Sequence, residues 1–186
     1  ESMDKQMDSI NRMVATGPSI VTYWYKFSHD GEDISLLNDE DTMAGHFLHI
    51  LHGKTPSDLH RKVMDVSLIL YAEHEFNAST FTARVCASTM SDIHSCVVAA
   101  IGSLRGPLHG GANEKAMELI ENWTSKEEAK AKIIEMLGNK EKIMGFGHAV
   151  YSIRDPRNAV IKEYAQELSE LAENDTLYKV AEEVEK

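Results

Sequence analysis

The sequence predicts an all-α protein, and three observations carry that reading. Apolar residues recur at three- and four-residue spacing over several stretches, helix-start signals stand in front of those stretches, and strand signals are scarce. Residues 20–27 form the best strand candidate, yet their aromatic content suits a buried helix equally well.

The elements follow in chain order. Residues 28–41 are polar, contain Gly31, and read as a surface loop between helices. Thr55-Pro56-Ser57-Asp58 reads as a helix start, with Thr55 as N-cap, Pro56 at the first helical position and Asp58 closing a capping box. Leu59, Val63, Val66 and Leu70 then share one face. Residues 78–103 are rich in Ala, Ser, Thr and Cys, and such small side chains let helices approach closely in a large core. Ala112, Ala116, Leu119, Ile120 and Trp123 mark the apolar face of a helix that begins just after His109. Ser125 and Glu128 open the next one, with Ala129, Ile133, Met136 and Leu137 as its stripe and Gly138 as its C-terminal stop. Ile161, Tyr164, Ala165, Leu168, Leu171 and Ala172 make a further regular stripe. After Gly111 the composition turns to Glu/Lys-rich amphipathic segments, which suit a smaller, more solvated lobe. A domain boundary is therefore expected at His109–Gly111, giving residues 1–110 and 111–186.

Composition narrows the function classes. A chain of 186 residues with 42% hydrophobic residues, 4 Pro and 11 Gly builds a real core and is not disordered. A net charge of −11 argues against nucleic acid as the main partner, because phosphate binding needs a basic face. No apolar run approaches the roughly 20 residues that span a bilayer, so no membrane partner is expected. Cys86 and Cys96 form neither a metal-type pair nor a disulfide framework and read as buried thiols with no reactive setting. With no signal peptide in view, they fit a reducing, cytoplasmic location. A start at Glu1 instead of Met is what a piece of a longer protein shows.

The chemistry-bearing residues cluster in four places. Gly106-Pro107-Leu108-His109-Gly110-Gly111-Ala112-Asn113 sets a histidine in a Gly-flanked backbone at a helix N-terminus. A neutral imidazole there can donate a hydrogen bond to a carbonyl or enolate oxygen, whereas the plainer reading is a loop histidine in solvent. Gly145-Phe146-Gly147-His148 repeats the pattern, and Arg157 in Asp155-Pro156-Arg157 can clamp a carboxylate. Asp155-Pro156 as a helix-start turn, with Arg157 offsetting nearby acids, is the bland alternative. Ile143, Met144, Gly145 and Phe146 offer an apolar segment to a flat ligand ring, or else belong to ordinary core. His74, flanked by Glu73 and Glu75, suits a donor to a carboxylate or a salt-bridged helix end. His46, His49 and His52 recur every third residue without a completing carboxylate or cysteine, so no metal site is expected and a structural or surface role is favoured. The carboxylate-rich stretch 163–185 reads as a solvated helix face.

Taken in order and spacing, His74-Glu75-Phe76-Asn77-Ala78-Ser79-Thr80, the Gly106 to Asn113 motif, Gly145-Phe146-Gly147-His148 and Asp155-Pro156-Arg157 resemble the citrate synthase superfamily. The likeness covers nearly the whole chain. Tyr23-Trp24-Tyr25, His46-Phe47-Leu48-His49 and Ala72-Glu73-His74-Glu75-Phe76-Asn77 look more like its 2-methylcitrate-forming branch.

The resemblance implies a mostly helical homodimer, when full length, with a large domain at the subunit interface and a small domain that closes over the substrates. Residues 1–110 would belong to the large domain and 111–186 to the small one. It implies condensation of propionyl-CoA with oxaloacetate and water to 2-methylcitrate and CoA, in propionate catabolism. The CoA thioester is a substrate, and no cofactor is bound permanently. By the same resemblance, His109 and His148 would be catalytic, the first at the thioester carbonyl and the second polarising the oxaloacetate carbonyl. His74, Asn77 and Arg157 would bind oxaloacetate, and Lys142, Ile143, Met144, Gly145 and Phe146 would line the CoA adenine site. The general-base aspartate of the family belongs to a later segment, beyond Lys186, so the chain is expected to lack that base and to be an incomplete catalytic unit. The alternatives are a citrate synthase using acetyl-CoA and, in another class, a non-catalytic helical module that binds CoA or a partner.

Overall fold

The structure, a computed structural model, describes residues 2–147 and 150–186. Among these residues there are nine helices and no strand. They fall into two compact units, Glu1–His74 and Glu75–Lys186.

The first unit holds α1 (Met3–Asp30), α2 (Met43–His52) and α3 (Asp58–Tyr71), with α2 packed on both of the others. Residues 20–27 lie inside α1, so the strand alternative is resolved as helix, but Trp24 and Phe27 are 65% and 51% exposed instead of buried. Thr22 is the residue that α1 buries there, and its hydroxyl donates to the Pro18 carbonyl at 2.6 Å. The helix stops at Gly31, whose φ of 69° lets its amide and that of Glu32 return to Phe27 and Lys26. His46 ties α1 to α2 and to the intervening loop: its Nε2 lies 2.9 Å from Ser19 Oγ and its Nδ1 3.0 Å from Asn38 Nδ2. Gly45 leaves room for the Glu40 side chain, 7% exposed, which Arg61 grips through Nε and Nη2 at 3.1 and 3.0 Å. The start of α3 differs from the expected one by two residues. Ser57, not Thr55, is the N-cap and accepts from the His60 amide, while Asp58 sits in the first turn and pairs with Arg61.

The second unit contains a two-helix hairpin and a four-helix cluster. The hairpin is α4 (Ala78–Ser88) packed on α5 (Ile93–Leu104). The cluster is α6 (Gly111–Glu121), α7 (Lys126–Gly138), α8 (Pro156–Leu171) and α9 (Thr176–Glu185), with α9 touching the other three. Trp123, Ala129, Val180 and Val184 form its buried core, and Leu119, Ile120, Ile133, Met136 and Ile143 pack around them. The stripes on α6 and α7 are therefore largely inward, but Leu137 is 59% exposed on the outer side of the turn whose Met136 packs inward. Leu171, the last residue of α8, is 70% exposed, and Ala172 after it is exposed as well. Ser125 caps α7 as expected; the Glu128 carboxylate reaches the amide and hydroxyl of Thr124, one residue beyond the cap, at 2.9 and 2.8 Å. Those two bonds, the amide first, hold the Glu128 carboxyl below the usual carboxylate range. Gly138 is not the left-handed stop. That role falls to Lys140 at φ 59°, with Lys140 N returning to Leu137 O and Glu141 N to Met136 O.

Candidate active site

The hairpin and the turn that follows α5 build one part of the site. Gly106 N closes on Ser103 O, His109 N on Gly106 O at 2.9 Å, and Ala112 N on His109 O at 3.0 Å, so the chain coils tightly from α5 into α6. Gly110 permits this by its size: a Cβ there would meet Leu104 O at 2.5 Å and Leu104 Cδ1 at 2.6 Å. Its φ of −61° is ordinary. His109 consequently stands two residues ahead of α6, half-buried, with Nε2 only 2.7 Å from Ser79 Oγ in the first turn of α4. Solvent exposure of a loop histidine does not describe this ring.

The direction of this bond and the tautomer of the ring go together. Ser79 Oγ can donate to Nε2 or accept from it. Only the first arrangement puts the proton on Nδ1, where a neutral ring can offer it to an oxygen of a ligand. Ser79 was not singled out by sequence reasoning, although it lies inside the His74 to Thr80 motif; the sole signal was its place within that run.

Asn77 is the N-cap of α4, its Oδ1 accepting from Thr80 N at 3.0 Å. The carboxamide oxygen is thus used by the helix, and Nδ2 is the donor end of the side chain. His74 ends the first unit in the irregular segment before α4 and is half-buried; the next residue, Glu75, has φ 50°, a left-handed value rare outside glycine.

Residues 142–147 form the irregular connection after α7. Ile143 packs on the core around Trp123, which is the plainer of its two readings, whereas Lys142, Gly145 and Phe146 are exposed. Gly145 sits at φ 86° against α6, where a Cβ would come within 2.5 Å of Ala116 Cβ. Both torsion and space demand glycine here. His148 lies outside the described residues.

Asp155 caps α8 by accepting from Arg157 N at 2.9 Å, with Pro156 at the first helical position. The Arg157 guanidinium also turns back on this carboxylate, through Nε at 3.0 and 3.1 Å and through Nη2. The turn reading and the charge-offset reading of this motif both hold, and the cationic fork is half-buried.

A cleft of about 400 Å³ lies in the first unit, lined by Val21, Tyr25, Phe47 and Leu51 among others; none of the expected site residues borders it. Among the described residues there is no cluster of three or more metal-ligating side chains, and no helix is long and apolar enough to cross a membrane.

Comparison with known proteins places this geometry in context. The family described as citrate synthase, C-terminal domain, matches residues 1–186. The 2-methylcitrate synthase of Shewanella oneidensis is 61% identical over 180 residues, covering 97% of this chain and 48% of that protein. The citrate synthase of Deinococcus radiodurans is 42% identical over 175 residues, covering 94% and 46%. Among solved structures, the ternary complex of carboxymethyl coenzyme A and oxaloacetate with citrate synthase from Thermoplasma acidophilum aligns with a TM-score of 0.89 at 31% identity, over 98% of this chain and 48% of that one. Citrate synthase from Thermotoga maritima gives 0.84 at 34%, over 97% and 49%. The chain spans about half the length of the curated relatives it matches.

Proposed function

The chain belongs to the citrate synthase family, and from that premise we propose that it is part of an acyltransferase that condenses propionyl-CoA with oxaloacetate and water to 2-methylcitrate and CoA. The observation that carries the reading is the 2.7 Å contact between Ser79 Oγ and His109 Nε2 in a turn built by Gly106 and Gly110. A side chain held this way is a preorganised donor, which is what a developing enolate needs. The 61% identity to a 2-methylcitrate synthase, against 42% to a citrate synthase, favours the propionyl substrate.

In this mechanism Nδ1–H of His109 donates to the thioester carbonyl as the α-proton leaves. The resulting enol carbon attacks the oxaloacetate ketone, which His148 polarises. Arg157, His74 and the Asn77 carboxamide hold the oxaloacetate carboxylates, and Lys142, Ile143, Met144, Gly145 and Phe146 receive the adenine end of CoA. Water then cleaves the thioester. No residue of this chain is assigned as the base that removes the α-proton, and these residues alone are proposed not to turn over. Residues 1–110 are taken as large-domain structure and 111–186 as the small domain; the core that α6, α7 and α9 share favours this division, while the compact units divide at His74–Glu75. The whole protein is taken as a cytoplasmic homodimer, which the outward apolar row Val98, Ile101 and Leu104 on α5 favours.

Steady-state rates of the whole protein with propionyl-CoA and acetyl-CoA test the assignment. A clearly higher kcat/KM for propionyl-CoA is expected. One methyl group is worth roughly 1–3 kcal/mol in a fitted pocket, so the ratio should be about tenfold or more. A preference for acetyl-CoA would reassign the substrate, and binding of CoA with no thiol release would leave a non-catalytic module.

A further inference from the structure

Both cysteines of the chain lie on the seam between α4 and α5. The less exposed positions of α4 are Ser79, Thr80, Thr82, Ala83 and Cys86, of which Ser79, Thr82, Ala83 and Cys86 follow three- and four-residue spacing; on α5 they include Ile93, Cys96, Val97, Ala100 and Ser103 in the same rhythm. These are the faces the packed helices turn to each other. Residues 89–92 connect the helices, with Cys86 about one turn before the connection and Cys96 about one turn after it. In a short-looped αα-hairpin, positions equally far from the connection lie side by side. Cys96 is 4% exposed and Cys86 half-buried. Burial first, and then the Cys86 thiol beside it, push the Cys96 thiol above its ordinary value.

We propose that Cys86 and Cys96 are a modification site: a reversible disulfide across the α4–α5 seam, formed by exchange with a small-molecule disulfide such as oxidised glutathione. The more accessible Cys86 thiolate attacks one sulfur of that oxidant, forming a mixed disulfide and expelling one thiolate. Cys96, after losing its proton, attacks the Cys86 sulfur and expels the second. Two protein thiols lose two electrons and two protons, and one oxidant molecule becomes two thiols. Because the Cys96 thiol is harder to ionise, the second step quickens as pH rises. The staple joins α4, which carries Ser79, to α5, which leads into the His109 turn.

The test is to incubate the whole protein with oxidised glutathione, alkylate under denaturing conditions, digest, and map the cysteines by mass spectrometry. A Cys86–Cys96 linked peptide pair is expected, with an intact mass lower by two hydrogens, both reversed by dithiothreitol. The Cys96→Ser variant should stop as a mixed disulfide on Cys86. Wild-type protein that keeps both thiols alkylatable, retains glutathione on Cys86, or links only between chains overturns the proposal. The wild-type map decides the matter whether or not the variant folds.

Discussion

Ser79 and His109 come from different helical neighbourhoods, thirty residues apart in sequence, yet meet side chain to side chain at 2.7 Å. Replacing Ser79 by Ala removes the hydroxyl that meets Nε2, and with it the arrangement that would keep the ring proton on Nδ1. One hydrogen bond of this kind is worth about 1 kcal/mol, so kcat of the whole enzyme should fall about fivefold or more. The KM for oxaloacetate should barely move. An unchanged kcat in Ser79→Ala would show that the ring keeps its orientation without the hydroxyl.

Arg157→Ala addresses the other half of the site. The guanidinium now rests on Asp155, and on the proposed reading a substrate carboxylate takes a share of it. Charge-assisted bonds contribute about 1.5–3 kcal/mol, so the oxaloacetate KM should rise by about 10- to 100-fold, with a smaller change in kcat. Equal KM values in parent and variant would remove Arg157 from substrate binding.

Lys140 occupies the left-handed end of α7, a position where a Cβ is costly. Lys140→Gly should stabilise the fold by about 0.5–1 kcal/mol, read as a higher urea midpoint. Gly138→Ala, inside the helix with open space around its Cα, should not lower it. A lower midpoint for Lys140→Gly would mean that the lysine stem contributes packing that outweighs the strain.

Glu128 provides a pH dependence with a defined sign. Its carboxyl is depressed in the folded state by the Thr124 amide and hydroxyl, so the unfolded chain binds the proton more tightly. The stabilisation is complete above the unfolded value of about 4.3 and disappears as pH falls through the lower folded value. Urea titrations of the parent and of Glu128→Gln should differ near neutrality and converge in acid. A constant gap across that range would assign the difference to something other than ionisation.

Helix identity was legible in the sequence wherever a stripe turned away from solvent: Leu59, Val63, Val66 and Leu70 are half-buried on α3, and Ala129, Ile133 and Met136 on α7 join the core around Trp123. Ends were harder. Thr55 and Ser57 offer the same hydroxyl two residues apart, and the choice depends on which backbone amide can reach it; Ser57 meets His60 N at 3.3 Å. Likewise Gly138 looks like a stop, but the backbone continues to Lys140 before turning left-handed. The site motifs were visible as Gly-His and Asp-Pro-Arg runs. The Ser79–His109 pairing was not, because nothing local relates residues on opposite sides of a hairpin.

Gly110 has a consequence for what variation this chain can absorb. Its torsion angles suit any amino acid, so the obstacle to a larger residue is space alone. One of the two nearest obstacles is the Leu104 side chain, which a second mutation could trim, but the other is the Leu104 carbonyl, which every residue at 104 carries. Shortening the leucine therefore cannot rescue a side chain at 110. Compensatory change is closed off at the step where α5 hands the chain to His109, and a library randomised at both positions should return glycine at 110 whatever it accepts at 104.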